Sequence, residues 1–176
     1  MLLKNILAYQ LASVAAASPF AARSLLAERG GASWELEGFA KDNPLGETTG
    51  GAGGDEVTVT TAEELVAAAT SEGPAIIYIE GDISLSRRLA IASQKTIIGV
   101  GKTAHIHEFG FDVKDADNVI IRNIKISSIE GNDCMTLQNA TRVWVDHNEF
   151  SSDISQGPDY FVRLTPYCVG PRISAY

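Results

Sequence analysis

The amino-acid sequence predicts an all-β chain wound as a right-handed parallel β-helix, incomplete at its far end and covered by one short N-terminal helix. Three observations predict it. The runs AIIYI (75–79), KTIIGV (95–100), NVIIRNIKI (118–126) and RVWVDH (142–147) superpose when shifted by about 21, 23 and 24 residues. Each interval holds two further short strand-like pieces, such as Ile124 to Ser127 and Met135 to Gln138, parted by turns of Gly, Asn and Asp. The stretches between the runs carry no 3.6-residue pattern, which a doubly wound α/β fold would need for its crossover helices. Three short strands per repeat describe one coil of a solenoid. No Leu ladder is present, which excludes a leucine-rich repeat.

Taken in order, residues 1–17 read as a secretory signal: Lys4 gives the positive start, Ile6 to Ala17 is largely apolar, and Ala15-Ala16-Ala17 offers a small-residue cleavage site. The mature protein is then secreted and extracellular, and the apolar run is too short to span a membrane. Residues 18–49 show no steady period and read as a propeptide and irregular lead-in. The β-helix domain is placed at 50–160. Its opening GGAGG (50–54) reads as a turn, because no Gly-Lys-Ser/Thr follows as a phosphate loop requires. Thr61 and Glu64 make a capping box ahead of Leu65, Val66, Ala68 and Ala69, so 62–71 is expected to be the helix that covers the open end. In the repeats, Ile77, Ile98, Ile121 and Val145 form one column and Ala75, Thr96, Val119 and Val143 another, both expected to face the core. Ile97, Ile120 and Trp144 are then expected to form an outward apolar ladder that flanking segments must cover.

With 45% apolar residues among 176, the chain can bury one sizeable core. Its net charge of −8 weighs against nucleic acid, which is held by clustered Lys and Arg. An acidic polymer remains possible if a divalent cation stands between the two negative partners. Cys134 and Cys168 are too few for a disulfide scaffold, and no Cys or His spacing matches zinc. His105 and His107 could face one side of a strand, but lack a third ligand. Asp146-His147 invites a proton-relay reading, yet no Ser or Cys nucleophile accompanies it, and both residues are assigned to hydrogen bonding beside the coil. Asn139-Ala140-Thr141 is an N-glycosylation sequon at a strand end.

The run GGAGGDEVTVTTAEEL, then KTIIGVG, NVIIRNIKIS and GNDCMTLQNATRVWVDHNEFSSD, resembles the pectate lyase family of plant-cell-wall degraders over residues 38–160. The resemblance implies cleavage of polygalacturonate, the pectin backbone, by β-elimination with Ca2+ as cofactor, in a protein expected to be monomeric. By that resemblance Asp133 is a metal ligand, matching the first calcium-binding aspartate. A turn aspartate more often closes the turn by bonding nearby backbone N–H groups. Calcium suits the reaction: the proton removed lies α to a carboxylate, and a cation there stabilises the developing charge.

After Tyr160 the likeness stops. A fungal relative is expected to continue with something like YDGLLDI, whose aspartates complete the calcium site, whereas this chain reads FVRLTPYCVGPRISAY. Residues 161–176 are therefore taken as an aberrant tail that does not extend the repeat, no catalytic residue is assigned, and Arg163 and Arg172 match no catalytic motif. The readings that follow are an active lyase, a truncated and inactive form of one, a non-catalytic polysaccharide-binding β-helix, and a pectin lyase-like protein working without calcium. A polygalacturonase would need paired aspartates, and the sequence has no Asp-Asp pair. The signal reading carries its own test: secreted material should begin near Ser18. N-terminal sequencing that finds Met1 retained on soluble cytosolic protein would sink it.

Overall fold

The computed structural model describes residues 35–152, 158, 161–164 and 172–175. The expected signal at 1–17 and the first part of the lead-in lie outside the described residues. After a 3-10 turn at Gly38–Ala40 come β1 (Asp55–Val59), helix α1 (Ala62–Thr70), β2 (Ala75–Ile79), β3 (Asp82–Ser84) and β4 (Leu89–Ala90). The next coil is β5 (Lys95–Gly99), β6 (His105–Glu108) and β7 (Phe111–Lys114), followed by β8 (Asp117–Arg122), β9 (Lys125–Ile129) and β10 (Met135–Gln138). Last come β11 (Thr141–Ser151), β12 (Val162–Leu164) and β13 (Arg172–Ala175). Every strand pairing is parallel, and each strand meets its counterpart one coil away. The chain is a parallel β-helix with three faces. The first is β1-β2-β5-β8-β11-β13, the second is β3-β6-β9 with the C-terminal half of β11, and the third is β4-β7-β10-β12.

Side-chain alternation sends one column of each face inward. On the first face Ile77, Ile97, Ile121 and Val145 stand in register and are fully buried. The register between β2 and β5 thus corrects the expected columns: the shift is 20 residues, Ile77 to Ile97, so Ile97 points into the core while Ile98 and Thr96 point out. The run KTIIGV supplies an isoleucine at either parity, so hydrophobicity alone could not choose. The choice follows from the neighbours. Gly99, opposite the buried Ile79, shares the parity of Ile97, and there only glycine fits, because a Cβ would meet the Asn123 carbonyl oxygen at 2.1 Å. Thr96 must face outward, because its Oγ1 accepts the Gly51 N–H at 2.9 Å.

A consequence is that Lys95, not Thr96, shares the inner column with Ala75 and Val119. The side chain is fully buried, and its ammonium donates to the carbonyls of Gly73 and Ser93. Burial pushes its pKa below the usual lysine value.

Helix α1 forms as the capping box foretells: the Thr61 hydroxyl accepts from Glu64 N and the Glu64 carboxylate accepts from Thr61 N. Leu65 and Ala69 are its fully buried positions, set against the first coil, and Ala92 N–H donates to the Ala69 carbonyl. The lead-in has a role of its own. Leu36 and Ala40 cover Ile120 and Trp144, the two members of the expected outward ladder that do face out. Asn118 then ties the strap down, its Oδ1 accepting Thr49 N–H at 2.7 Å and Gly50 N–H at 2.8 Å. GGAGG is a turn pressed on this face: a Cβ at Gly51 would lie 1.9 Å from the Ala75 carbonyl oxygen.

Residues in the left-handed region recur one coil apart at the corners, with Gln94, Asn118 and Arg142 and also Asp115 and Asn139 where the third face passes to the first, and Asn123 and His147 where the first passes to the second. Asn and Asp accept that conformation more readily than most side chains, which accounts for their place in the turns. The final segment differs from expectation. Val162–Leu164 pairs with β10 and Arg172–Ala175 with β11, so both extend the faces. A parallel rung this short asks only for backbone partners, and Pro166 and Pro171 fall in sequence between the two strands. Among the described residues no helix is long and apolar enough to cross a membrane. Since Ile121 is central to the stack, Ile121→Ala should lower unfolding free energy by about 2–5 kcal/mol, read from urea denaturation. A change within error would show that the stack is not the stabilising element.

Candidate functional site

The third face carries the densest polar cluster around a residue singled out by the sequence. Leu89, Phe111 and Met135 form its buried inner column, so the neighbouring register positions Ala90, Asp112, Thr136 and Arg163 form the outer one. Arg88, in the turn before β4, lies across these rungs. Its Nε donates to Asp112 Oδ1 at 2.6 Å, Nη1 to the Asp133 carbonyl at 2.5 Å, and Nη2 to the Phe111 carbonyl at 2.7 Å and Thr136 Oγ1 at 3.1 Å. Lys114 donates to the other oxygen of Asp112 at 2.9 Å. One guanidinium thus pins three coils together.

Asp133 stands in the turn before β10 and is 5% exposed. Its Oδ2 accepts from Arg163 Nε at 2.7 Å and from Thr136 Oγ1 at 2.9 Å. Its buried Oδ1 has no hydrogen-bond partner among the described residues. The carboxylate therefore does not close its turn through backbone N–H groups. Burial opposes its ionisation, but Arg163, the Thr136 hydroxyl and Arg88 outweigh that and hold the carboxyl below its ordinary pKa.

The calcium expectation can be tested on this donor set. An oxygen left without a partner in a buried carboxylate would suit a cation, but calcium takes six to eight oxygen ligands. Among the described residues no group of three His, Cys, Asp or Glu converges as a metal site. The second oxygen of Asp133 is already held by a guanidinium. The described residues do not fit calcium.

The other singled-out residues fall elsewhere. Asp146 is buried on the first face, 2.7 Å from Arg122 Nη2 and 2.6 Å from His147 Nδ1, and the Arg122 guanidinium lies 4.5 Å over the Trp144 ring. This cluster does what the sequence suggested, hydrogen bonding beside the coil. His105 and His107 do share one side of β6, their rings stacked 5.3 Å apart, with Asp82 Oδ1 2.8 Å from His105 Nδ1 and Ser127 Oγ 2.7 Å from its Nε2. Asn139 is exposed at a corner and donates to Asp115 Oδ1 at 2.6 Å. Sequence reasoning missed Arg88 and Asp112 and dismissed Arg163. The only signal for them was the 24-residue spacing from Arg88 to Asp112, one coil in this solenoid.

The family model of pectate lyases matches residues 7–157. A pectate lyase of Emericella nidulans is 41% identical over 156 residues, which cover 86% of this chain and 47% of that protein. A pectate trisaccharide-lyase of Bacillus licheniformis is 35% identical over 145 residues, 76% of this chain and 42% of that protein. The chain spans about half the length of the curated relatives it matches. Among solved structures, a pectate lyase from Bacillus sp. N165 in complex with trigalacturonate superposes with a TM-score of 0.58 at 28% identity, covering 67% of this chain and 43% of that one. Another pectate lyase structure reaches a TM-score of 0.65 at 19% identity over 73% of this chain and 55% of that one, which speaks for the fold alone. Pectate lyases in general depend on calcium. With a family model covering most of its length and fungal relatives at about 40% identity on a shared solenoid, the chain belongs to the pectate lyase family.

Proposed function

We propose that this chain recognises polygalacturonate along the third face, in a protein type whose reaction is β-elimination, and that its 176 residues bind the polymer without cleaving it. One observation carries the reading: Asp112, Thr136 and Arg163 line successive rungs of one face, with Arg88 and Lys114 beside them. Rungs repeat every ~4.8 Å, so a linear acidic polymer lying along the face meets Arg163, the Thr136 hydroxyl and then Asp112 with its carboxylate already paired to Arg88 and Lys114. The trigalacturonate bound to one similar structure supports the choice of polymer.

Elimination needs a base beside the proton α to the uronate carboxylate and a stabiliser for the charge that develops there. Among the described residues the third face holds positioning groups, while its carboxylate Asp133 is committed to Arg163 and Thr136. Binding without turnover follows. Secretion through the 1–17 signal, a glycan on exposed Asn139 and a monomeric state complete the proposal.

Two measurements check it. In native gels cast with polygalacturonate the chain should be retarded relative to polymer-free gels, and Lys114→Glu should reduce the retardation severalfold; equal mobility with and without polymer would remove the polysaccharide reading. Given polygalacturonate and millimolar calcium, the chain should release no unsaturated uronide detectable by ultraviolet absorbance. Measurable release would make it an active lyase.

A further inference from the structure

We infer that Arg163 takes the place of a bound cation at Asp133, so that this chain meets the carboxylate of a polyuronate with a guanidinium and binds it without calcium. The inference rests on the polysaccharide reading above and deepens it. Arg163 is not an incidental surface partner. Its backbone is fixed opposite Thr136 by the β10–β12 ladder, and its Nε reaches Asp133 Oδ2 at 2.7 Å, next to the Thr136 hydroxyl at 2.9 Å. Asp133 is almost fully buried while the Arg163 side chain is 39% exposed, so the positive partner of the pair is the one that solvent and ligand can reach.

Charge points the same way: among the described residues, Arg88 and Lys114 pair with Asp112 and Arg163 pairs with Asp133, so each carboxylate of the cluster already stands against a cation of the chain. A divalent cation added at Asp133 would sit beside a guanidinium and share that carboxylate with it, and like charges at such range repel strongly in a partly buried site. Calcium would have to displace Arg163 and then find most of its oxygen shell elsewhere. A uronate carboxylate faces neither difficulty. The planar guanidinium fork suits a carboxylate, and a hydrogen bond between charged groups is stronger than one between neutral groups.

Calorimetry on the full chain tests this with calcium chloride alone and with trigalacturonate, in excess chelator and in millimolar calcium. The wild-type chain should give no calcium-binding heat, and its trigalacturonate affinity should agree within about twofold between the two buffers. Arg163→Gln should lower affinity in chelator by about tenfold, the loss of one charge-assisted hydrogen bond, and millimolar calcium should restore part of it. Arg163→Lys, which keeps the charge but not the fork, should remain indifferent to calcium and bind more weakly than wild type. Circular dichroism of each variant confirms the β-helix before titration. Calcium binding by the wild-type chain, or trigalacturonate binding that vanishes in chelator, would overturn the inference. Absence of trigalacturonate binding in both buffers would instead sink the polysaccharide reading, and with it the carboxylate half of the inference; the calcium titrations of wild type and Arg163→Gln would still decide whether the ion pair excludes the cation.

Discussion

Parallel register between successive coils is the constraint on which the rest of this molecule depends. Ile77, Ile97, Ile121 and Val145 stack in one inward column, and every polar feature outside the core is placed by the same count. A slip of one residue in any strand would reverse its faces, sending isoleucine to solvent and Thr96 or Arg122 into the core. Hydrophobic burial holds the register against that slip. The outer faces then reinforce it with pairs that reach from one rung to the next: Arg88 to Asp112, Arg122 to Asp146 and Arg142 to Asp117. An exposed pair contributes about 0–1 kcal/mol, and in the buried Arg122–Asp146 pair the attraction is spent largely on offsetting desolvation, so the value of all three lies in specifying which rung meets which.

The architecture was legible because a solenoid repeats its reasons. Four apolar runs, the turns of Gly, Asn and Asp between the strands, and the Thr61–Glu64 capping box each pointed to an element that exists. Where the reading slipped by one, at β5, the cause was local: Ile97 and Ile98 are equally apolar, and the deciding contacts come from Gly51 and Asn123, distant in sequence. The buried Lys95 was hidden for the same reason. A lysine inside a coil is not suggested by any hydrophobic pattern, and it is tolerated because the turn carbonyls of Gly73 and Ser93 receive its ammonium.

The site was legible only in part. Asp133 could be singled out from its turn and from a family likeness, but its partners could not, since Arg88 and Arg163 stand 45 and 30 residues away and meet it only through the winding. Strands as short as Val162–Leu164 also escape pattern reading. Three residues show barely one alternation, and this one forms because β10 offers it a ready edge of backbone donors and acceptors.

That late strand decides the chemistry of the face. Without Arg163, Asp133 would be a buried carboxylate with Thr136 as its side-chain donor, an arrangement whose desolvation cost invites a cation. With Arg163 present, the charge is compensated from within the chain, and the carboxyl stays ionised although burial opposes it. A compensated carboxylate no longer needs a metal, and the positive group now stands on the outside. The same solenoid face therefore changes from a surface that must recruit a cation to one that supplies its own, through one side chain carried by a three-residue rung.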